Sequence, residues 1–406
     1  IHDFPGVIIA VIDESKGGDA IVARASKGKT LDDYRGKNVK VGFTKGSPSE
    51  HILKVVKNDF NLPELFPEKG SEYRVETDGS EDAYKRLMTD EIDVAVLWEP
   101  DVSKALAEKG FVKLFGTEKV ERYVVDILVV NREFMINNQS TVKLFLSNYF
   151  KALKYYRDHP DKLVAELKVD SPELTEAQIK NMVKGVSWQS LSANCTRWFG
   201  INRPDQKKLS DEILIEVIDS TVDVLVANGD FKGNPLPDGD PYRICYSDFL
   251  EDLYQNYVGG ANGDEDANVE VEFEELPLER WNELKGFGTL KVEPIVFQQG
   301  TSRLSFEGKL VLDQMVENLK RYPTFRIKIP GHTGSRGDPT MNKKLSQDRA
   351  DAVLRYLNVA HGVDKNRCLA IGFGGENPPK RGPNEDKKAW QYRSSRVELI
   401  LVQEEL

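Results

Sequence analysis

Apolar and polar positions follow two different periods along the first third of the chain. Between strand-like runs, residues 49–60 and 83–89 repeat their apolar positions with helical spacing. Several of the strand-like runs are apolar on both faces, as is typical of strands buried in a parallel sheet. Strands that alternate with helices predict a mostly parallel α/β layer over residues 1–135. The runs of strand length are residues 7–12, 21–23, 39–43, 73–76, 94–97 and 127–130.

The pattern becomes mostly helical over residues 138–258. Residues 141–159 place their large apolar side chains on one face, and Pro160 follows as a helix stop. A second helix is predicted with Thr175 as its cap, and a third over residues 209–228. We therefore expect a helical segment after the α/β layer.

A break in composition follows the helical segment. Residues 259–279 begin GGANGDEDANVEVEFEE and combine a Gly/Asn cluster with a block of acidic side chains. Like charges and small polar residues favour a solvated linker. We therefore predict an α/β domain at residues 1–258, an acidic linker at 259–285 and a second domain at 286–406.

Beyond the linker, strand-like and helical patterns alternate again. Ser305 is a candidate cap for a helix that runs to about residue 321, and residues 342–357 are predicted to form a second helix. A polar, Gly-rich loop at 331–340 precedes that second helix. The predicted order is β-α-β-α-β-β, with the helices on one face of the sheet. Strands are predicted at residues 295–297, 325–329, 369–373 and 397–402.

The 406-residue chain carries 66 acidic and 56 basic side chains, for a formal net charge of −10. Neutralising nucleic-acid phosphates requires a basic surface, so we expect no nucleic-acid partner. No apolar run reaches the roughly 18 residues that would span a bilayer. The chain begins at Ile1 and not at Met, so we expect processing or a preceding segment.

Common catalytic signatures are missing from the sequence. It contains no G-x-S-x-G, H-E-x-x-H or G-x-x-x-x-G-K-[ST] pattern, so we predict neither an enzyme nor a cofactor. Cys195, Cys245 and Cys368 lack metal-ligand spacing. Either Cys195 and Cys245 form a disulfide, or all three cysteines are buried thiols.

One acidic pattern resembles a calcium-binding loop. Asp264, Asp266, Asn268 and Glu275 fall at the first, third, fifth and twelfth positions of such a loop. Val269 stands where the loop requires glycine. A solvated acidic linker is therefore the expectation, and no metal is predicted.

Five short motifs follow one another in the C-terminal part. They are Phe297 and Leu304 in F-x(6)-L, GHTGSRG from Gly331, N-x-x-L-S-x-x-R-A from Asn342, GFGGENPP from Gly372 and R-V-E from Arg396. In this order they resemble the OmpA-like wall-binding family. The resemblance implies a periplasmic or cell-envelope location, and peptidoglycan as the partner through the diaminopimelate of its stem peptide.

The same resemblance assigns roles to single residues. Arg349 is expected to hold the diaminopimelate carboxylate, since a guanidinium fork fits it, and Arg396 matches a second family arginine. Gly334 stands where the family has an aspartate for the ammonium group, and Asp338 in the same loop is a substitute. Either wall binding persists in this form, or the fold is kept while wall binding is weakened. The predicted set is His332, Thr333, Gly334, Asp338, Asn342, Leu345, Arg349 and Arg396.

Four segments of the N-terminal part begin at Glu14, Leu31, Asp90 and Asp126. Together they resemble the nitrate/sulfonate/taurine class of ABC-transporter solute-binding proteins. The resemblance implies a fold like that of type II periplasmic-binding proteins, a small anionic solute and an ABC-transporter permease as a further partner. Members of this class have a longer stretch before the first of these segments, so the first lobe is expected to be incomplete here.

Two short stretches of this part are candidate solute contacts. Gly46 and Ser47 follow a strand and open a helix, whose first N–H groups suit an oxyanion. Trp98 and Glu99 end a buried strand at its carboxyl edge, where open α/β sheets place ligands. The alternatives are a plain helix cap at residues 46–47 and a core position for Trp98.

The two resemblances together predict a non-enzymatic protein of the cell envelope. In the first hypothesis it is a solute-binding protein of the ABC-transporter type, anchored to peptidoglycan through its C-terminal domain. In the alternative, the solute-binding fold has lost its ligand and the chain is a structural or interaction protein. A solute that binds beside Gly46 and Trp98 would separate the two hypotheses.

Overall fold

The computed structural model describes residues 5–201, 211–256, 273–298, 300–382 and 385–403. Most of the calcium-like pattern, the first half of the predicted linker and the start of the helix predicted from residue 209 lie outside these ranges. The predicted domain boundary stays a prediction. Contacts group the chain into two compact units. The first comprises Ile1–Val22, Lys40–Val55 and Arg74–Val269, and the second Ala23–Val39, Val56–Tyr73 and Glu270–Leu406.

Twelve strands and fourteen α-helices are assigned among the described residues. The strands are β1 Gly6–Ser15, β2 Asp19–Arg24, β3 Val41–Thr44, β4 Arg74–Thr77, β5 Val94–Trp98, β6 Phe111–Gly116, β7 Val125–Asn131, β8 Val186–Trp188, β9 Lys285–Thr289, β10 Arg326–Gly331, β11 Cys368–Gly372 and β12 Ile400–Gln403. The helices are α1 Pro48–Phe60, α2 Gly79–Met88, α3 Asp101–Ala107, α4 Arg132–Asn137, α5 Gln139–Asp158, α6 Pro160–Asp170, α7 Glu176–Lys184, α8 Leu191–Ala193, α9 Ile213–Ala227, α10 Asp248–Asn256, α11 Leu278–Glu283, α12 Phe306–Leu319, α13 Pro339–His361 and α14 Lys387–Ser394.

The first unit contains two sheets. One has the strand order β4-β3-β5-β2-β6, and β3 pairs in parallel with β4 and β5, as the sequence predicts. The other has the order β7-β1-β8, and β1 pairs antiparallel with both neighbours. The prediction of a mostly parallel layer is therefore confirmed for β3, β4 and β5 and is wrong for the second sheet. In the second sheet, β7 runs back along β1 in the opposite direction, which apolar periodicity alone does not reveal.

Strand β1 is buried on both faces. Val7 and Ile9 pack in a cluster that includes Leu146 and Phe150 of α5. The alternate residues Ile8 and Val11 pack with Trp198, Ile213 and Leu214 in a second cluster. This two-sided burial explains why residues 7–12 form an uninterrupted apolar run.

Two features of the N-terminal part differ from what the sequence predicts. Helix α5 ends at Asp158 and α6 begins at Pro160, so the proline closes one helix and opens the next, because the first helical residue needs no N–H donor. Strands β6 and β8 were not predicted. Strand β8 has only three residues, and it is held by pairing with Asp13, Glu14 and Ser15 of β1, which are distant in sequence.

The C-terminal sheet of the second unit has the order β11-β10-β12-β9. Strand β10 is parallel to β11 and antiparallel to β12, and β12 is antiparallel to β9. The strand predicted at 295–297 is wrong, since Phe297 makes only an isolated bridge with Leu304. The first strand is β9, KGFGT, whose glycines hide its strand character.

Helix α13 lies close against β10 and β11. A Cβ atom at Gly331 would lie 2.2 Å from the carbonyl oxygen of Ser346, and one at Gly372 would lie 2.4 Å from the main-chain nitrogen of Gln347. Glycine at these two strand ends therefore permits the close contact. The first half of α13 is thereby held beside the loop that follows β10.

Among the described residues, no helix combines the length and the apolar character that crossing a bilayer requires.

Candidate ligand-binding sites

The loop after β10 is held at its start by main-chain hydrogen bonds. The N–H of His332 donates to the carbonyl of Arg396 (2.8 Å), and the N–H of Arg396 donates to the carbonyl of His332 (3.2 Å). The N–H of Thr333 donates to the carbonyl of Gly374 (2.8 Å). His332 and Thr333 are consequently fixed between the C-terminal segment and the segment that follows β11.

Both of these residues bury a side-chain polar atom that has no partner. His332 and Thr333 are each 5% exposed, and among the described residues nothing hydrogen-bonds to His332 Nδ1 or Thr333 Oγ1. The imidazole stacks on Phe373 with a centroid distance of 5.5 Å. Burial, followed by the charge of Arg396, lowers the pKa of His332, so the ring is neutral at neutral pH. Buried polar atoms of this kind normally meet a ligand or a water molecule.

Arg349 lies on α13 with its guanidinium held on two sides. Its Nε donates to the carbonyl of Thr301 (3.1 Å), and its Nη1 donates to Ser395 Oγ (2.7 Å). The guanidinium also stacks over the ring of Phe297, 5.0 Å from the centroid. The Nη2 group has no hydrogen-bond partner among the described residues. Burial lowers the pKa of Arg349, but a guanidinium remains charged at any ordinary pH.

Arg396 differs from Arg349 because each of its three guanidinium nitrogens donates a hydrogen bond. Its Nε donates to Glu398 Oε1 (2.5 Å), and its other two nitrogens donate to the carbonyls of Ser394 (3.3 Å) and Asn377 (3.2 Å). Arg396 therefore braces neighbouring chain segments. Of the two arginines predicted for the site, Arg349 is the one with a guanidinium nitrogen, Nη2, that makes no hydrogen bond among the described residues.

The remaining predicted residues of this loop shape it. Asn342 Nδ2 donates to the carbonyls of Arg336 (2.9 Å) and Gly334 (3.4 Å). Asp338 caps α13, because one carboxylate oxygen accepts the N–H of Met341 at 2.9 Å. A Cβ at Gly334 would meet only the carbonyl oxygen of Gln391, at the ordinary distance of 3.8 Å. The half-buried Leu345 lies one turn before Arg349 on α13.

The structure brings most of the predicted C-terminal set together. Ser395 binds Arg349 and directly precedes Arg396, whose main chain pairs with His332. Sequence reasoning missed Ser395 and Thr301 as the groups that orient Arg349. Ser395 had a usable signal, because it directly precedes Arg396, one of the two arginines predicted for the site.

The turn before α1 satisfies its own donors. The N–H of Gly46 donates to Glu50 Oε2 (2.8 Å), and the N–H of Ser49 donates to Ser47 Oγ (3.2 Å). The Ser47 hydroxyl in turn donates to the carbonyl of Thr44 (2.7 Å). Gly46 adopts φ +66°, a left-handed conformation that glycine accommodates without strain.

Glu50 supplies a buried negative charge at this turn. It is 7% exposed and lies 3.3 Å from both Lys54 Nζ and Arg74 Nη2. Burial raises its pKa, but the Gly46 N–H, Lys54 and Arg74 together lower the pKa of Glu50 below its ordinary value. The carboxylate therefore sits where an oxyanion was expected, bound by a helix-terminal N–H and two cations.

Trp98 and Glu99 lie at the same sheet edge as this turn, since β3 and β5 are neighbours. Trp98 is half-buried, and its main-chain N–H donates to Ser80 Oγ (3.1 Å). Glu99 accepts the N–H (3.1 Å) and the hydroxyl (2.7 Å) of Ser103 in α3. Glu99 therefore caps a helix, and Trp98 is the member of this pair whose side chain is open to a solute.

A second polar cluster lies at the end of β1, and sequence reasoning missed it. Glu14 is fully buried, accepts the N–H of Arg122 at 2.6 Å, and lies 3.5 Å from Lys16 Nζ and 3.6 Å from Arg197 Nη2. Arg122 has φ +68°, which is uncommon for a residue other than glycine. The available signal was a carboxylate inside a strand that is otherwise apolar.

Two further carboxylates flank Glu14 and resist ionisation. Burial, together with Asp126 opposite in β7, raises the pKa of Asp13 to about 7. Burial raises the pKa of Asp19 to about 6, against the hydrogen bond from Ser15. No group of His, Cys, Asp or Glu among the described residues could hold a metal ion, and the three cysteines are free thiols.

Comparison with known proteins finds a different family match in each part of the chain. Residues 296–391 match the model of the OmpA family, and residues 6–163 match the model described as NMT1/THI5 like. The chain is 33% identical over 107 residues to the probable lipoprotein YiaD of Escherichia coli (strain K12), which is 26% of this chain and 47% of that protein. It is 35% identical over 89 residues to the peptidoglycan-associated lipoprotein of Legionella pneumophila, which is 22% of this chain and 48% of that protein.

Among solved structures, the alkanesulfonate-binding protein SsuA from Xanthomonas axonopodis pv. citri bound to MOPS is 14% identical. The similarity covers 60% of this chain and 74% of that one, with a TM-score of 0.42. The chain spans only 19%, 47% and 48% of the length of the first three curated relatives.

The N-terminal part of the chain is thus similar to the NMT1/THI5-like family, and the C-terminal part is similar to the OmpA family. Strands and helices alternate in both parts, so the fold is α/β throughout the described residues. The similarity of the C-terminal part to OmpA-family proteins and to peptidoglycan-associated lipoproteins places the chain in the periplasm or the cell envelope. Solute-binding and OmpA domains are non-enzymatic.

Proposed function

We propose that this protein, an NMT1/THI5-like domain joined to an OmpA-family domain, is an extracytoplasmic solute-binding protein held at peptidoglycan. Its C-terminal domain would bind the diaminopimelate-bearing stem peptide. Its N-terminal domain would bind a small anionic solute and deliver it to an ABC-transporter permease. The proposal includes no enzymatic step and no cofactor.

The surroundings of Arg349 are the observation that carries the proposal. Thr301 and Ser395 fix the guanidinium and leave Nη2 available for a ligand. A charge-assisted hydrogen bond to a carboxylate is worth roughly 1.5–3 kcal/mol, and an oriented guanidinium loses little entropy on binding. The unpartnered atoms of His332 and Thr333 in the adjoining loop support a polar ligand there.

The ammonium group of diaminopimelate is less well provided for. Gly334 offers no carboxylate, and Asp338 has one oxygen committed to the cap of α13. The second carboxylate oxygen of the exposed Asp338 is the group in this loop that remains available to bind an ammonium group. We therefore propose that recognition rests mainly on the carboxylate bound by Arg349.

Sedimentation with purified peptidoglycan tests the wall-binding part. Arg349→Ala should lose binding, because the bound carboxylate would have no counter-charge. Arg349→Lys, which keeps the charge but not the fork, should retain a weakened interaction. Arg355→Ala is the matched control, since Arg355 is exposed on the same helix. Thermal unfolding of each variant checks that the domain is intact.

Equal sedimentation of wild type and Arg349→Ala would show that the domain keeps the fold without this mode of wall binding. Loss of binding in Arg355→Ala as well would point to general electrostatic attraction instead of a defined site.

The carboxyl ends of β3 and β5 support a solute site formed by Gly46, Ser47, Trp98 and Glu99. The half-buried Trp98 would wall the solute, and the turn at residues 46–47 would approach it. Isothermal titration calorimetry with nitrate, sulfonates, bicarbonate and phosphate tests this proposal. Heat from one of these anions, lost in Trp98→Ala, is the expected result.

A specific observation favours the second candidate, an envelope structural or interaction protein whose solute-binding fold has lost its ligand. The Gly46 N–H is already bonded to Glu50, so the turn has no free donor at that position. If none of these anions gives a heat of binding to the folded protein, the result would support this second candidate over the first.

A further inference from the structure

The last turn of α1 belongs to the second unit and forms a buried ion pair there. Asp59 is 7% exposed, and its carboxylate accepts hydrogen bonds from Arg321 Nη1 (3.2 Å) and Tyr322 Oη (2.8 Å). The side chain of Arg321 is 14% exposed. The carbonyl of Asp59 accepts the N–H of Lys291 at 2.6 Å. Asp59 is therefore desolvated and bonded on both its main chain and its side chain.

Aromatic rings continue this contact from the next residue. Phe60 is fully buried and meets Phe287 and Tyr322 edge to face, with centroid distances of 5.8 Å in both cases. Phe287 in turn lies 4.6 Å from Phe325. Edge-to-face pairs in a buried cluster stabilise beyond the area that they bury.

Strand β9 approaches the same cluster closely. A Cβ atom at Gly288 would lie 2.7 Å from a ring carbon of Phe60, whereas one at Gly286 would meet nothing within 4 Å. The next residue, Thr289, donates both its N–H and its hydroxyl to Asp32 Oδ2, each at 3.1 Å. The lack of a side chain at Gly288 is thus what lets the Phe60 ring fit against the strand.

These contacts join segments from the two family regions. Asp32, Asp59 and Phe60 belong to the NMT1/THI5-like match, and Arg321 and Tyr322 belong to the OmpA match. A desolvated ion pair surrounded by packed aromatic rings is typical of the centre of a stable protein interface. Two domains that were merely tethered by a linker would not need to bury such groups.

We propose that the OmpA-family domain is docked on residues 23–39 and 56–73, with Asp59 and Phe60 as the central contacts. Its partner surface is this part of the same chain, and the linker is not required to hold the two together. The inference is independent of wall or solute binding. If the domain also binds peptidoglycan, residues 23–39 and 56–73 are held to it by these contacts and not by the linker alone.

Cleavage of the folded full-length protein tests the proposal. A specific protease site is inserted between residues 262 and 263, within the predicted linker, and a tag is placed on the C-terminus. After complete cleavage, both fragments should elute together in size-exclusion chromatography and should separate in urea. Separation of the wild-type fragments in native buffer would overturn the proposal.

A pair of glycine variants locates the contact. Gly288→Leu places a side chain against Phe60 and should raise the dissociation constant between the cleaved fragments by about tenfold or more. Gly286→Leu adds the same side chain to the same strand in open space and should leave the fragments associated. Capture of the tagged fragment measures the amount of partner retained. Equal retention by the two variants would mean that the contact with Phe60 does not hold the domain.

If Gly288→Leu fails to fold, exchanging the charges of Asp59 and Arg321 tests the docking contact instead. Asp59→Lys faces Arg321 with a like charge and should weaken fragment association by about a hundredfold. The double variant Asp59→Lys with Arg321→Glu restores opposite charges and should recover part of the association. If the double variant is no better than the single one, the ion pair is not part of the docking contact.

Discussion

Helices α1 and α13 both begin after a strand and a glycine-containing turn, but the two turns treat their polar groups differently. At α1, the Gly46 N–H is bonded to the buried carboxylate of Glu50, which two cations neutralise. Before α13, the buried polar atoms of His332 and Thr333 have no partner among the described residues. The first turn is closed by its own chain, whereas the second remains open to a ligand.

The difference arises from where each turn places its charges. Glu50 lies in the first turn of α1 and reaches back to the Gly46 N–H, so the chain supplies the anion itself. The loop before α13 has Gly334 where the OmpA-like family has an aspartate, so the chain supplies no carboxylate at that position. Asp338 caps the start of α13 itself, so the polar atoms that lack partners lie earlier in the loop, on His332 and Thr333.

Removing the internal carboxylate should have the largest effect. Glu50→Ala leaves the buried Lys54 and Arg74 without one of their shared counter-charges, and we expect a loss of roughly 3 kcal/mol in the free energy of unfolding. The variant also frees the Gly46 N–H, so sulfate should restore part of that loss by occupying the same position. Urea unfolding in matched sulfate and chloride buffers measures both effects.

The matched control for Glu50 is Glu81→Ala. Glu81 lies 2.7 Å from Lys85, closer than the 3.3 Å between Glu50 and its cations, but both side chains are largely exposed, so the stability should barely change. Sulfate should stabilise this control and the wild type equally. If Glu50→Ala gains no more from sulfate than they do, the turn is not a latent anion site.

Supplying the missing carboxylate before α13 should have an intermediate effect. The nearest atom to a Cβ at Gly334 lies at 3.8 Å, so Gly334→Asp fits without displacing its neighbours. We expect binding to peptidoglycan to strengthen by roughly 1–3 kcal/mol, because the aspartate can pair with the ligand ammonium group. Binding isotherms with purified peptidoglycan measure the change.

Ser335→Asp provides the comparison for that variant, since it adds the same charge to the neighbouring exposed residue. It should leave the affinity nearly unchanged. Equal strengthening by both variants would indicate a general charge effect and not a specific position for the ammonium group.

The smallest expected effect concerns pH and the neutral imidazole of His332. Burial, followed by the charge of Arg396, lowers its pKa in the folded protein below the ordinary value of 6.5. Below pH 6.5 the unfolded chain therefore binds more protons than the folded one, and stability falls as the pH is lowered toward the folded pKa. Wild type should lose more unfolding free energy than His332→Gln between about pH 7.5 and about pH 5.5.

Urea unfolding at the two pH values, followed with a probe in the C-terminal domain, makes this comparison. Parallel losses in the two proteins would mean that His332 does not titrate differently in the folded and unfolded states.

Local sequence signals predicted the elements that depend on near neighbours. Ser305 caps α12 by accepting the N–H of Gly308 at 3.1 Å, and Thr175 caps α7 by accepting the N–H of Gln178, as the sequence indicates. The apolar run at residues 7–12 is confirmed within β1. Each of these signals requires only residues within one or two turns of each other.

Elements that depend on distant partners escaped prediction. Strand β9 carries two glycines and is defined by its pairing with β12, more than a hundred residues later. The buried cluster of Glu14 likewise depends on Arg122 and Arg197, which approach it only in the folded chain. Apolar periodicity holds no information about such pairings.

Strand β9 and helix α14 of the C-terminal domain were not predicted. By itself, the sequence determined helices α12 and α13, strands β10 and β11, the loop at residues 331–340 and the arginine on the helix that follows it. These follow from periodicity, glycine position and charge, which local residues specify. Tertiary structure alone decided that Nη2 of Arg349 makes no hydrogen bond among the described residues, that every guanidinium nitrogen of Arg396 makes one, and that Glu50 accepts the N–H of Gly46. The reason is that a polar group becomes a site only when its hydrogen bonds remain unsatisfied, and that depends on every segment that packs beside it.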